Sequence, residues 1–142
     1  MADLLNGSLF SKSPPQLIRN FTSPTLAGEL RGAFRCISTF LFFHLFDEED
    51  QLKLAETCGE LLSKTSGSMI LGAHRMSTIT GRVHDTSIGS IFCHSPDSWN
   101  ELWREKVFPP GLGTEVRVDI DSDLQDPAHE IDGLICWTVT VI

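Results

Sequence analysis

Histidines, cysteines, tryptophans and a run of acids are the side chains through which this 142-residue chain can do chemistry. His44 closes an apolar run that begins at Phe34. An imidazole at the C-terminal end of a buried strand can act as general base toward a hydroxyl acceptor. A His there can equally cap the following helix or tie down a loop. His74 and Arg75 follow a second apolar run. A guanidinium at that edge can hold a carboxylate by a bidentate pair, and a solvated loop pair is the plainer reading. His94 precedes a helix-start signal, and Trp99 and Trp103 follow at helical spacing. Such a tryptophan pair can wall an apolar ligand pocket or simply fill a core.

Other constellations carry less. Asp119, Asp121, Asp123 and Glu130 fit positions 1, 3, 5 and 12 of a calcium-loop template, but Leu124 stands where the turn glycine belongs. A solvated acidic turn is the expectation. Cys36, Cys58, Cys93 and Cys136 are separated by 22, 35 and 43 residues, with no C-x-x-C pair. That spacing fits neither a zinc site nor a redox motif, so free thiols in apolar surroundings and a reducing, cytoplasmic setting are expected, with no metal. No G-x-S-x-G elbow or Cys–His pairing points to covalent catalysis.

Composition narrows the class. Eleven Lys and Arg against nineteen Asp and Glu leave a formal charge of −8, which disfavours a nucleic-acid binder. Hydrophobic residues make up 41% of the chain, enough for an ordinary core. Nine Phe and three Trp without any Tyr make the aromatics mainly packing material. The longest apolar run, Cys36 to Phe46, is too short for a bilayer span, and residues 1–10 lack the basic start of a secretory signal.

These residues need elements to position them. Residues 1–33 are broken by Pro14-Pro15, Pro24, Gly28 and Gly32 and read as an irregular N-terminal segment. Phe34 to Phe43 reads as a strand buried on both faces, since apolar residues run almost without alternation. Asp47 is placed as the N-cap of a helix whose apolar stripe is Leu54, Ala55, Cys58, Leu61 and Leu62, with Gly67 beyond it. Ser68 to Ala73 is a second short strand, making a parallel strand–helix–strand unit. Residues 74–92 read as a long polar loop. Ser95-Pro96-Asp97 starts a helix that ends by Pro109-Pro110-Gly111. Val116, Val118 and Ile120 alternate as a strand, and Leu134 to Ile142 is the last, close enough to pair with it antiparallel.

That order of elements resembles the C-terminal half of a class I S-adenosylmethionine-dependent methyltransferase. The residues resemble, more narrowly, a fungal secondary-metabolism family with members in meroterpenoid pathways. The stretches that carry the likeness are Phe42-Phe43-His44-Leu45-Phe46-Asp47-Glu48-Glu49-Asp50-Gln51, Leu61-Leu62-Ser63, Gly67-Ser68-Met69-Ile70 with Gly72, Phe92-Cys93-His94-Ser95-Pro96-Asp97-Ser98-Trp99, Leu102-Trp103 and Trp137-Thr138-Val139-Thr140. The resemblance implies an α/β fold with a partial Rossmann-like sheet over 34–142. It comprises the parallel unit plus a C-terminal antiparallel strand pair, with the N-terminal cofactor-binding strands missing. It implies S-adenosylmethionine as cofactor and a small-molecule metabolite as substrate. It would place Asp3, within Ala2-Asp3-Leu4, on the adenine side of that cofactor. His44 would then be the catalytic base, with His74, Arg75, His94, Trp99 and Trp103 toward the substrate. Two departures stand out. The glycine-rich turn of the first strand is not found, and Gly111-Leu112-Gly113 precedes a strand instead of opening a helix. Ser38 occupies a position where the family usually carries His.

Two functional classes therefore remain. One is methyl transfer to an oxygen or carbon of a metabolite. The other is a methyltransferase-like protein without transfer activity, a metabolite-binding cyclase or isomerase or an interaction partner of an intact enzyme. A remnant without function is a third possibility. With its first strands lacking, Phe34–Phe43 becomes a sheet edge, so pairing with a second copy or a partner chain is expected.

Overall fold

The computed structural model describes residues 28–121 and 134–142. Strand β1, Cys36–Phe40, is followed by a 3-10 turn at Phe43–Leu45 and by helix α1, Glu48–Leu61. Strand β2, Met69–Arg75, leads to β3, Gly81–Asp85, and β4, Gly89–Cys93. Helix α2, Pro96–Glu101, continues as a π-helical turn, Leu102–Val107, before β5, Val116–Ile120, and β6, Leu134–Val141.

Both helix starts follow from local chemistry. The Asp47 carboxylate accepts the Asp50 backbone N–H at 3.1 Å, and Glu48, Glu49 and Asp50 sit in the positive first turn. Ser95 and Ser98 form a reciprocal capping box, with Pro96 in the first turn, where its missing N–H costs nothing. Helix α1 ends at Leu61, before Gly67, which takes φ +84° in the turn leading to β2.

One four-stranded sheet has the order β1-β2-β6-β5, and β3-β4 form a separate two-stranded ribbon. β1 and β2 pair in parallel, with Cys36 opposite Met69 and Phe40 opposite Ala73. β6 runs antiparallel to both its neighbours, β2 and β5. The antiparallel pair expected at the C-terminus is present, and β6 enters the sheet between β5 and the parallel unit.

Helix α1 and the helical segment from Pro96 to Val107 bury the same face of this sheet. Leu54, Ala55, Cys58 and Leu62 meet Trp99, Leu102 and Trp103 over Ile70, Trp137, Val139 and Val141. On the other face Cys36, Ser38 and Phe40 are exposed, as is Cys136. The expectation that β1 is covered on both faces is therefore corrected. Both covering helices found among the described residues pack on one side, so burial along β1 alternates. Cys36 and Cys136 lie on the open side, and only Cys58 and Cys93 have the buried surroundings expected of all four.

The polar stretch 74–92 is not a loop throughout. β2 runs on through His74 and Arg75, because Ile135 and Leu134 of β6 pair with them. Beyond Met76, β3 and β4 form a hairpin with Arg82 opposite Phe92. Gly89, at φ +87°, opens the return strand.

Candidate functional site

The C-terminal ends of β1 and β2 lie side by side in the parallel register, and that edge is where open α/β sheets place ligands. The chain leaves β1 through Leu41, whose φ of 53° is the one left-handed non-glycine backbone among the described residues. A left-handed leucine is strained by about 1 kcal/mol or more, and it turns the chain sharply into the 3-10 segment that carries His44. The Leu41 N–H is tied to the Ala73 carbonyl at 2.7 Å, so the turn stays anchored to β2. Gln51 on α1 adds a second anchor. Its side-chain amide donates to the Phe46 carbonyl at 2.9 Å and to the Phe92 carbonyl at 3.0 Å, joining the turn to the hairpin.

His44 is buried, and burial, assisted by the positive charge of Arg75, holds its pKa below the ordinary imidazole value. It is therefore neutral at pH 7, the state a general base requires, and its Nδ1 is buried without a hydrogen-bond partner. His74 is 1% exposed. The Trp137 indole N–H donates to its Nδ1 at 2.9 Å. Burial, with His44 and His94 adding to it, pushes the His74 pKa down to about 3. His94 is also buried, with Nδ1 at 2.9 Å from the Ser98 hydroxyl, and burial plus Lys106 lowers it to about 4.

The structure thus brings His74 and His94 together as neutral imidazoles around the Trp99 ring, with His44 near enough to act electrostatically on His74. The Trp99 ring lies 4.5 Å from His74 and 5.4 Å from His94, while Phe43 lies 5.7 Å from His74 and 4.9 Å from Trp99. Trp99 and Trp103 are fully buried and pack on each other and on Trp137, so they present no surface to solvent. Arg75, half-buried at the end of β2, acts electrostatically on both His44 and Cys93. Asp3 lies outside the described residues, as do Asp123 and Glu130 of the calcium-loop template. Asp119, the first residue of that template, is in β5 and takes a hydrogen bond from Arg117 at 2.8 Å. Among the described residues no group of three or more His, Cys, Asp or Glu is placed to hold a metal ion. No helix among them is long and apolar enough to cross a membrane.

Sequence reasoning passed over Trp137 and Gln51 as parts of this site. Trp137 lies 63 residues from the His74 it contacts, and only the register of β6 on β2 brings them together. The one local sign was Gly72, which stands opposite Trp137 and leaves room for its indole.

Comparison with known proteins fits this geometry. No family model matches the chain. It is 30% identical over 119 residues to the Asnovolin E/Chermesin D methyltransferase nvfJ of Aspergillus novofumigatus, covering 81% of this chain and 42% of that protein. Against methyltransferase adrK of Penicillium rubens the identity is 29% over 120 residues, 77% of this chain and 40% of the relative. O-methyltransferase phiE of a fungal species is 29% identical over 91 residues, 63% of this chain and 30% of the relative. Among solved structures, a SAM-dependent methyltransferase of Leishmania major superposes with a TM-score of 0.50 at 13% identity, over 79% of this chain and 39% of that one. The chain spans well under half the length of these relatives. It thus shares part of the fold of a SAM-dependent methyltransferase and is similar in sequence to part of several fungal methyltransferases.

Proposed function

We propose that this chain belongs to a methyltransferase that moves a methyl group from S-adenosylmethionine to a small fungal secondary metabolite, its described residues forming the acceptor side. The observation that supports it most is the run of curated relatives, all named as methyltransferases, over a chain whose sheet edge carries a neutral, buried His44. The same relatives favour transfer over a methyltransferase-like protein without activity.

S-adenosylmethionine is the donor these relatives imply, and when bound it would supply the electrophilic methyl. The chain's one G-x-G, Gly111-Leu112-Gly113, leads toward β5 with both glycines at positive φ, so it opens no helix and forms no phosphate-type cradle. The described residues therefore act on the acceptor. Methyl transfer needs the nucleophile held in line, plus a base when the nucleophile is a hydroxyl. His44 takes that proton at a ring nitrogen that burial and Arg75 keep free at neutral pH. His74, Arg75 and His94 orient the acceptor beside it, and Trp99 and Trp103 back these residues from the core. The β1 edge, where Phe40 and Leu41 are exposed, suits pairing with a further polypeptide segment.

The test incubates the purified chain with S-adenosylmethionine carrying a labelled methyl and an organic extract of fungal metabolites. Label in the extractable fraction is expected, and His44→Gln is expected to slow its appearance about 10²–10⁴-fold, the usual worth of a positioned base. Absence of transferred label from the unaltered chain refutes the reading.

A further inference from the structure

A general base must come within about 3 Å of the proton it takes. His44 is only 6% exposed, so an acceptor in contact with its ring needs a neighbour to move. β2, α1 and β4 pack against the 3-10 turn that carries it. β2 is an inner strand of the main sheet, and α1 supplies Leu54, Ala55 and Cys58 to the core on that sheet. β4 belongs to the separate ribbon. Its Ile91, Phe92 and Cys93 are buried but stand outside the main core cluster. Of the three neighbours, β4 can leave without breaking sheet or core.

The ribbon's attachments show how it would move. A two-stranded ribbon is marginal by itself in water, and β3 and β4 form a sheet of their own. Its foot is clamped. The Ser77 N–H donates to the His94 carbonyl at 2.9 Å, and the Thr80 hydroxyl meets Ser98 Oγ at 2.6 Å and takes the Ser95 N–H at 3.1 Å. Just beyond that clamp β3 starts at Gly81, whose φ of +152° and open surroundings suit a hinge. Farther out, Arg82, His84, Ser90 and the tip residue Ile88 are exposed. The opposing tie is Gln51, itself 1% exposed. Its amide donates to the Phe46 carbonyl, just past His44, and to the Phe92 carbonyl of β4. One buried side chain thus fastens the ribbon to the segment that carries the base.

We propose that the β3–β4 ribbon is a gate over His44, hinged at Gly81 and latched by Gln51, through which the acceptor enters. The gate rests on the role of His44 proposed above and supplies its route of access. Gln51 is a positioning residue. In the closed state its two bonds hold turn and ribbon together, and on opening the Phe92 carbonyl passes to water. Such an opening exposes few buried side chains, so it lies below global unfolding in free energy.

The experiment pairs native-state amide hydrogen exchange with diethyl pyrocarbonate labelling of the histidines, read residue by residue by mass spectrometry. In the unaltered chain the amides of β3 and β4 are expected to open about tenfold or more as often as those of β2 and β6. His44 should be acylated in step with the ribbon, while His74, 1% exposed on β2, reacts only on global unfolding. His84, exposed on β3, reports the reagent's full rate. Gln51→Leu leaves two carbonyls without their donor in the closed state, so it should raise ribbon opening and His44 labelling together, about 5- to 100-fold, and β2 and β6 less. Ribbon amides that exchange only along with β2 and β6 overturn the gate. So does a ribbon that opens while His44 stays as protected as His74, which is fraying, and so does a His44 that reacts as fast as His84. These outcomes come from the unaltered chain and stand even if the variant does not fold. They need neither cofactor nor acceptor, so the labelled-methyl assay separates the two readings. A gate that opens in a chain without transfer removes only the methyltransferase reading, whereas transfer by a chain whose ribbon never opens removes only the gate.

Discussion

Gly72→Ala tests whether the close passage of Trp137 over β2 organises the site. A Cβ at residue 72 would lie 2.5 Å from the Thr39 carbonyl oxygen, 2.7 Å from Thr39 Oγ1 and 2.7 Å from Trp137 Cζ2. Ordinary carbon contacts begin near 3.4 Å, so the indole or strand β1 must move by more than half an ångström. Neither moves freely. Thr39 is backbone-paired to β2, and Trp137 is 2% exposed, with the rings of Trp99, Trp103, Phe43 and His74 all within 5.8 Å. Overpacking of this kind costs about 1–3 kcal/mol. If the indole shifts, the 2.9 Å bond to His74 stretches, and two buried polar atoms losing it add about 1–3 kcal/mol. Alanine recovers about 0.4–1 kcal/mol by restricting the unfolded chain. The balance is a loss of about 1–5 kcal/mol, a drop in Tm of very roughly 3–20 °C for a chain of this size. Thermal melts followed by tryptophan fluorescence measure it, with Ser38→Ala on the exposed face of β1 as control, expected within about 0.5 kcal/mol of the parent. A Gly72→Ala protein as stable as its parent, with unchanged fluorescence, would refute the packing argument.

Two further outcomes follow from burial. His74 and His94 have folded pKa values of about 3 and about 4, below the unfolded value near 6.5, so between roughly pH 4 and 6 the unfolded chain binds up to two protons that the folded one refuses. Their contribution is complete above pH 6.5 and is lost as pH falls, with a slope approaching about 2.7 kcal/mol per pH unit around pH 5. Urea melts from pH 7 to 4.5 should show it, and His74→Phe should flatten the slope by about half; a slope unaltered in that variant contradicts the assignment. Cys58 is pushed up to about 12 by burial and Cys93 is raised by the same cause, while Cys36 and Cys136 are exposed. A thiol reagent at pH 8 should therefore modify two of the four cysteines quickly, and the others only after denaturation. Rapid reaction at Cys58 would show that α1 does not pack as described.

Local rules made much of this molecule legible before its structure. The Asp47 and Ser95 caps and the apolar stripe of α1 are short-range features and appear where the residues indicate, whereas the strand expected over 34–43 forms only at Cys36–Phe40, with Phe43 in the 3-10 turn, and the one expected over 68–73 runs on to Arg75. The hairpin of β3 and β4 was less legible, because Arg82 to Asp85 is polar and the ribbon stands apart from the main sheet. Gly81 and Gly89, which open its two strands, were its clear punctuation. His44 and His74 could be nominated from their places near strand ends, but not their state. An imidazole reads the same in sequence whether water or a ring of aromatics surrounds it.

The sequence by itself determined both helices, the strands of the main sheet, their order and the likeness to fungal methyltransferases, but not the β3–β4 hairpin, because capping, periodicity and turn chemistry act over a few residues. Tertiary structure alone decided that β6 enters between β2 and β5, that both covering helices share one face, and that Trp137 donates to His74 across 63 residues. Those outcomes depend on which distant surfaces exclude water together. Burial of that kind is what lowers the pKa of His44, His74 and His94 and leaves these imidazoles neutral.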